Sequence, residues 1–130
     1  MNIPFSPPDI TEEEIEAVAE VMRSGWITTG PKTKELERKM AEFTHTNRGV
    51  CLNSATSCME MALRLFEIGP GDEVIVPAYT YTASASVVCH VGATLRLVDV
   101  EKGTFHIDYA AVESMINENT KAIIPVDLGG

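Results

Sequence analysis

The stretch NSATSCMEMAL, residues 53–63, decides the fold because it joins a strand pattern to a helix pattern. The residues before it, 50–52, are apolar and predict a short strand. Apolar side chains then recur at helical spacing, which predicts a helix over 56–68. A strand that turns directly into a helix leaves unpaired backbone N–H groups at the positive end of the helix dipole. The stretch therefore predicts a turn that attracts an anion such as phosphate.

Strand and helix patterns continue to alternate after this turn. Short apolar runs predict strands at 74–76, 95–100 and 122–126. Helical spacing predicts helices between them, at 80–91 and 109–116. Alternation of this kind predicts an α/β fold with a mainly parallel sheet and helices on both faces.

Two helices are predicted before the turn. Thr11 and Glu14 have the spacing of a capping box, which opens a helix at about 11–24. Pro31 suits the start of a second helix, at about 31–44, because the first helical position needs no N–H. Apolar side chains at helical spacing are expected to form buried faces: Ile15, Val18, Ala19 and Met22 in the first helix, and Leu36, Met40 and Phe43 in the second.

Composition and charge restrict the partners. The chain has 130 residues, 45% of them hydrophobic, which is enough for one domain with a core. Its net charge of −9 argues against nucleic acid, because no basic stripe is present to neutralise phosphates. An acidic protein also repels phosphate at long range, so an anion site has to be built from local backbone dipoles.

The sequence also predicts a cytoplasmic protein without a membrane partner. No apolar run approaches the roughly 20 residues that span a bilayer. The first residues lack the basic and apolar regions of a secretory signal. The three cysteines are odd in number and have no metal-ligand spacing, so we expect reduced thiols and no metal site.

The last residues, AIIPVDLGG at 122–130, follow directly on a predicted apolar strand. In parallel sheets, ligands bind beyond the carboxyl ends of the strands. A chain that stops there would lose a covering helix and part of such a site. We therefore expect these 130 residues to be part of a longer protein.

Four stretches, in their order and spacing, resemble the N-terminal part of the DegT/StrS-type sugar aminotransferases. The resemblance covers essentially the whole chain. It implies the fold of the pyridoxal-phosphate (PLP) enzymes of fold type I, with residues 1–130 as the N-terminal part of the PLP-binding large domain. The rest of that domain and the C-terminal domain would follow. The stretches are SGWITTGPKTKELERKMAEF, LNSATSCMEMALRLFEIGPGDEVIVPAYTYTASASVV, GATLRLVDVEKGTFHID and TKAIIPVDLGG.

The resemblance implies a PLP-dependent aminotransferase that acts on a nucleotide-linked keto-sugar. Glutamate is the implied amino donor, a homodimer the implied assembly, and surface polysaccharide or antibiotic assembly the implied setting. The members of this family also include dehydratases in which histidine replaces the lysine. Another alternative is a non-catalytic regulatory relative that keeps the fold but binds no cofactor, and the intact residues 54–56 and Tyr81 argue against it. A third is a domain that only dimerises, with the Trp26-Ile27 turn as its contact surface.

The resemblance places the PLP phosphate at Ser54, Ala55 and Thr56. The backbone N–H groups of Ala55 and Thr56 and the Thr56 hydroxyl would hold it. Small residues let the backbone approach the phosphate, and hydroxyl groups add hydrogen-bond donors. The alternative is that Ser54 or Thr56 only caps the helix.

A second cofactor residue is implied by PAYTYTAS, residues 77–84. The family places an aromatic ring on the face of the cofactor pyridine, four residues after the proline, and that position is Tyr81. Stacking of this kind contributes about 1 kcal/mol. The alternatives are that Tyr81 is a half-buried core residue, or that Tyr79 takes the role.

The loop GWITTGP, residues 25–31, approaches the sugar pocket of the dimer in the family. Trp26 would supply a flat apolar wall, and Thr28 and Thr29 would supply hydroxyl donors to a sugar. The alternative is a plain helix-to-helix turn in which Trp26 covers the core.

No catalytic residue is expected within the chain. The family's cofactor-binding lysine would lie beyond Gly130, and none of the five lysines matches its motif. The 130 residues alone are therefore not expected to transaminate. The chain also departs from the family at two positions: the family often has histidine where this chain has Asp127, and often an aromatic residue where it has Gly129. Asp108 is expected only to cap the helix that follows it.

Overall fold

The computed structural model describes residues 3–4 and 6–129. The chain divides into two compact units, Met1–Cys51 and Leu52–Gly130, which are described separately below. In chain order the elements are α1 Glu12–Arg23, α2 Pro31–Phe43, α3 Ala55–Leu65, β1 Glu73–Pro77, α4 Ala83–His90, β2 Thr94–Val98, α5 Tyr109–Met115 and β3 Thr120–Ile123.

Helix α1 of the first unit begins at a complete capping box. The Thr11 hydroxyl accepts a hydrogen bond from the Glu13 N–H at 3.2 Å, and the Glu14 carboxylate accepts one from the Thr11 N–H at 2.7 Å. The side-chain hydrogen bond with Thr11 lowers the pKa of Glu14. Both bonds use N–H groups that a helix start otherwise leaves unpaired.

The apolar faces of α1 and α2 are exposed. No residue of α1 is buried, and Ala41 is the buried residue of α2. Leu36, Met40 and Phe43 are all exposed, so the predicted buried faces are wrong for this chain. A unit of two helices offers too little apolar surface to enclose both stripes, because stable packing needs a further layer.

The strand predicted at 50–52 is absent, and Val50 is exposed. The Cys51 N–H donates to the Glu37 carboxylate at 2.9 Å instead of to a neighbouring strand. A strand forms only where a second strand pairs with its backbone groups. Within residues 3–4 and 6–129 no strand pairs with this segment, so the apolar pattern alone gave the wrong prediction.

Gly49 lies against the backbone of α2, and its replacement by alanine is expected to destabilise the first unit. A Cβ at this position would lie 2.7 Å from the Glu37 carbonyl oxygen. That backbone atom cannot rotate away, so we expect a cost of about 1–3 kcal/mol. Chemical denaturation of the Gly49→Ala variant measures it. Gly69→Ala is the matched control, because its Cβ would make an ordinary 3.6 Å contact. Equal effects of the two changes would contradict the prediction.

The second unit is built on a three-stranded parallel sheet. The strand order is β2-β1-β3, so the first strand in sequence lies in the centre. Ile75 of β1 pairs with Arg96 of β2 and with Ile123 of β3. Both neighbours run parallel to β1, which confirms the predicted parallel sheet.

Helices cover both faces of this sheet, as predicted. Val74 and Val76 point to one face and Ile75 to the other, because side chains alternate along a strand. The first face packs against Leu63 of α3 and Val87 of α4. The second cluster consists of Ile75, Val98, Ile107 and Val112, the last of these from α5.

Two elements are shorter than predicted at the carboxyl edge of the sheet. Helix α4 begins at Ala83, because residues 78–82 form an irregular turn after β1. Strand β2 ends at Val98, because the chain leaves the sheet and Val100 pairs antiparallel with Ile107. We call residues 99–108 the arch. As expected, Asp108 caps α5 by accepting from the Ala111 N–H at 2.9 Å.

Helices α3 and α4 are joined by a charged contact. Glu60 of α3 accepts from Arg64 at 2.8 Å, and its second oxygen lies 2.9 Å from Nδ1 of His90 at the end of α4. The bond from Arg64, and after it the bond from His90, lowers the pKa of Glu60 below its ordinary value of 4.5.

The Glu60 contact should make stability depend on pH in the acid range. Because the folded-state pKa of Glu60 is lowered, its contribution is present above pH 4.5 and is lost as pH falls through the folded value. Denaturation of the wild type and of Glu60→Gln between about pH 3 and pH 7 should give a difference that vanishes in acid. Glu113→Gln is the control, because this exposed carboxylate has no side-chain hydrogen bond or ion pair among the described residues. A difference independent of pH would contradict the prediction.

Candidate functional site

The turn at the start of α3 leaves hydrogen-bond donors free. Ser54 is the N-cap: its hydroxyl accepts from the Ser57 N–H at 3.1 Å, and its carbonyl accepts from the Cys58 N–H at 3.1 Å. Within the described ranges, the N–H groups of Ala55 and Thr56 and the Thr56 hydroxyl have no partner. Ser54 therefore has the capping role that the sequence left open, and the free donors belong to the next two residues.

The electrostatics of this turn suit an anion. Helix α3 has 11 residues, and its first N–H groups carry the positive end of its dipole. Residues 53–59 and 77–89 contain no charged side chain, so the net charge of −9 arises elsewhere. Backbone N–H groups and a hydroxyl are the donors that commonly hold a phosphate at a helix start. The donor set therefore fits the phosphate group of a cofactor such as PLP.

Tyr81 follows β1 and projects into solvent. Its side chain is 82% exposed, so it is not a half-buried core residue. Tyr79, the alternative, stacks on Phe105 of the arch with ring centroids 4.9 Å apart and planes 22° apart. One face of the Tyr79 ring is thus already covered by a protein side chain.

The α3 turn and Tyr81 lie toward the same edge of the sheet. Helix α3 runs into β1 through the short connection 66–72, and its residue Leu63 belongs to the same buried cluster as Val74 and Val76. A helix joined to a strand by so short a connection runs antiparallel to it, so the helix starts where the strand ends. Ligands of parallel α/β sheets bind at this carboxyl edge.

The Trp26 turn belongs to the first unit and is held by local contacts. The Trp26 Nε1–H donates to the Thr29 carbonyl at 3.0 Å. The indole lies on Gly30, where a Cβ would come within 2.1 Å of the ring. Trp26 and Thr28 line a groove of about 430 Å³, whereas Thr29 contributes its carbonyl to the Trp26 contact. The remaining lining residues are Glu20, Val21, Ser24, Ile27, Gly30, Pro31, Lys32 and Thr33.

Phe105 is a residue near the site that sequence reasoning missed. It lies 26 positions after Tyr79, and no periodicity links the two rings. One sequence signal could have pointed to Phe105: it is the aromatic residue of GTFHID, residues 103–108, a segment that otherwise contains mostly small or polar residues. Gly129, one of the departures from the family, has a φ of 83°, a conformation that a larger residue adopts at a cost.

The described residues offer neither a metal site nor a membrane-spanning helix. Within the described ranges, no cluster of three or more His, Cys, Asp or Glu side chains has a geometry that would hold a metal ion. None of the described helices combines the length and apolar character required to cross a bilayer.

Comparison with known proteins identifies a family. Residues 8–130 match the model of the DegT/DnrJ/EryC1/StrS aminotransferase family. The UDP-4-amino-4-deoxy-L-arabinose–oxoglutarate aminotransferase of Shewanella sediminis (strain HAW-EB3) is 44% identical over 128 residues, which are 98% of this chain and 33% of that protein. The chain thus spans about a third of the length of this relative.

Several solved structures are similar to this chain in both sequence and fold. A candidate sugar aminotransferase from Streptococcus pneumoniae, Spr1654, is 63% identical with a TM-score of 0.93, and the match covers 100% of this chain and 33% of that one. It has been solved in apo, PMP and PLP forms. An aminotransferase from Psychrobacter cryohalolentis is 35% identical with a TM-score of 0.88, over 98% of this chain and 33% of that one. These likenesses confirm the predicted fold class.

Proposed function

Because the chain belongs to the DegT/DnrJ/EryC1/StrS aminotransferase family, we propose that its full-length protein is a PLP-dependent aminotransferase acting on a nucleotide-linked keto-sugar. The 130 residues would form the N-terminal part of the PLP-binding large domain. The observation that carries the proposal is the set of free donors at Ala55 and Thr56, in a chain 63% identical to a protein solved with PLP.

Glutamate is the proposed amino donor. The relative from Shewanella sediminis is named for an aminated nucleotide sugar and oxoglutarate, and oxoglutarate is the keto acid that corresponds to glutamate. This name supports both the substrate class and the donor. A cytoplasmic homodimer acting in polysaccharide biosynthesis completes the proposal.

The residues of this chain would bind and orient the cofactor. When bound, PLP supplies an electron sink that allows an amino group to pass between donor and acceptor. The N–H groups of Ala55 and Thr56 and the Thr56 hydroxyl would hold its phosphate, and Ser54 would fix the helix start that presents them. The exposed ring of Tyr81 would stack on the cofactor ring and set its tilt.

The turn at residues 25–31 of the first unit would contact the sugar of the substrate. Trp26 and Thr28 line the same groove, and Thr29 fixes the indole through its carbonyl. A flat apolar wall beside hydroxyl donors is a common composition of sites for polar ligands. We propose that this turn contributes to the sugar pocket of the dimer.

The intact mass of the full-length protein tests the function directly. The protein from its native gene is loaded with PLP, reduced with borohydride and weighed under denaturing conditions. A reduced-PLP adduct on the chain is expected, together with amino transfer from glutamate to a nucleotide-linked keto-sugar. PLP that binds without an adduct would favour the dehydratase. A protein that binds no PLP would favour a regulatory or dimerising relative.

Removal of the Tyr81 ring should loosen the cofactor. In the full-length protein, Tyr81→Ala is expected to weaken PLP binding by about 1 kcal/mol, which is roughly fivefold, and to shift the visible absorption band. Tyr81→Phe is the matched control, because it keeps the ring and removes only the hydroxyl. An unchanged band in Tyr81→Ala would exclude Tyr81 as the stacking residue.

A further inference from the structure

Two segments at the carboxyl edge of the sheet are joined by one aromatic contact. Tyr79 lies in the turn after β1, and Phe105 lies in the arch after β2. Their ring centroids are 4.9 Å apart and their planes 22° apart, an offset-stacked arrangement. Tyr79 is 52% and Phe105 59% exposed, so burial in a core does not impose the contact.

The backbone of the arch on either side of Phe105 is held by hydrogen bonds and by a buried side chain. Val100 pairs with Ile107, and the Glu101 N–H donates to the His106 carbonyl at 2.9 Å. Ile107 is 3% exposed and belongs to the same buried cluster as Ile75 of the central strand. The arch is thus fixed to the sheet on one side of Phe105 and closed by its own hydrogen bonds on the other.

The turn that carries Tyr81 is held mainly at its two ends. The Ala78 N–H donates to the Val98 carbonyl at 2.7 Å, which fixes the start. The Thr80 and Ser84 hydroxyls lie 3.0 Å apart, and the Ser84 N–H donates to the Tyr81 carbonyl at 3.1 Å, which fixes the end. Within the described ranges the Tyr81 side chain has no hydrogen bond or aromatic contact, so its direction follows the backbone of the turn.

We propose that Phe105 is a positioning residue for the cofactor site and acts through Tyr79. The stack holds the turn 78–82 against the arch, and this contact fixes the direction in which Tyr81 projects. The inference rests on the proposed function, because it assigns Tyr81 to the cofactor ring. In this proposal Phe105 contacts neither cofactor nor substrate. Tyr79 acts as a brace, which means that its ring connects the turn 78–82 to the arch.

Three variants of the full-length protein test this role. Phe105→Leu keeps apolar bulk but removes the stacking ring, whereas Phe105→Tyr keeps the ring. Phe66→Ala removes an exposed phenylalanine of the same unit and serves as the control. The measurements are PLP affinity, the visible circular dichroism of bound PLP, and amide hydrogen exchange of residues 78–84 in the cofactor-free protein.

For Phe105→Leu we expect faster exchange in the turn, a changed dichroism band, and PLP binding weakened by roughly 2- to 5-fold, which does not exceed the effect of Tyr81→Ala. Phe105→Tyr and Phe66→Ala should match the wild type. Because Phe105 acts through the direction of Tyr81, Phe105→Leu should cause no further loss of affinity when Tyr81→Ala is already present. A residue that only stabilises the fold would not show this dependence.

The possible failures are distinguishable. If the wild type binds PLP and Phe105→Leu leaves affinity and dichroism unchanged, the inference is overturned and the proposed function stands. Additive losses in the double variant would also overturn it. If the wild type binds no PLP, the proposed function fails, and the assignment of Phe105 to a cofactor site fails with it. The exchange rates then test only whether the Tyr79–Phe105 stack holds the turn. Faster exchange in Phe105→Leu would then support the brace, and equal rates would overturn it.

Discussion

Ile75→Ala is expected to remove about 2–5 kcal/mol from the free energy of unfolding of the second unit. Ile75 is fully buried in the central strand and packs with Val98, Ile107 and Val112. Its truncation deletes buried methyl and methylene groups and leaves a cavity between the sheet and α5. The loss is a large fraction of the usual free energy of unfolding of a domain, about 5–15 kcal/mol.

Denaturant titration of the wild type and the variant measures this loss. Ile123→Ala is the matched control, because Ile123 pairs with Ile75 in the sheet and is exposed. It should cost much less. Ile75→Val, which removes one methylene group, should cost about 0.5–1.5 kcal/mol. Equal losses for Ile75→Ala and Ile123→Ala would contradict the two-sided core described above.

Thr56→Val is expected to weaken PLP binding in the full-length protein by about 1–3 kcal/mol, which is roughly 5- to 150-fold. The variant keeps the shape of threonine and the helix N–H groups but removes the free hydroxyl. A hydrogen bond to a charged phosphate is stronger than one between neutral groups, so its loss should lower the PLP affinity measurably. Cofactor titration followed by absorption measures the change.

Thr56→Ser keeps the hydroxyl and should bind PLP nearly as well as the wild type. Because the Thr56 hydroxyl has no partner among the described residues, Thr56→Val should leave the denaturation curve of the cofactor-free protein unchanged. Unchanged PLP affinity in Thr56→Val would remove this hydroxyl from the proposed site. An equal loss in both variants would assign the effect to packing.

Local patterns predicted the architecture of the second unit. The alternation of short apolar runs with helical spacing predicted the parallel sheet and its covering helices, because each element has to bury one face. Capping chemistry predicted two helix starts, at Thr11 and at Asp108. These features depend on residues within one turn of each other, which a single sequence displays.

Features that depend on distant partners could not be predicted in this way. Residues 50–52 have a strand pattern, but a strand needs a neighbour, and their backbone bonds instead to Glu37. The stripe of Leu36, Met40 and Phe43 predicts a buried face, but helical spacing alone does not identify the element that would cover it, and all three side chains are exposed. In the candidate site, helical spacing and small residues predicted the donor turn, whereas Tyr81 came from the family resemblance. The Tyr79–Phe105 contact required the folded chain.

The central place of β1 has a consequence for biosynthesis. Its two partners, β2 and β3, both follow it in the chain, so β1 leaves the ribosome before either of them. The segment Glu73–Pro77, with Val74, Ile75 and Val76 fully buried in the finished fold, is then an unpaired apolar strand. Nascent chains lengthen at about 5–20 residues per second, so this strand waits for seconds until β3 is complete. During that interval it is an exposed apolar segment of the kind that chaperones bind.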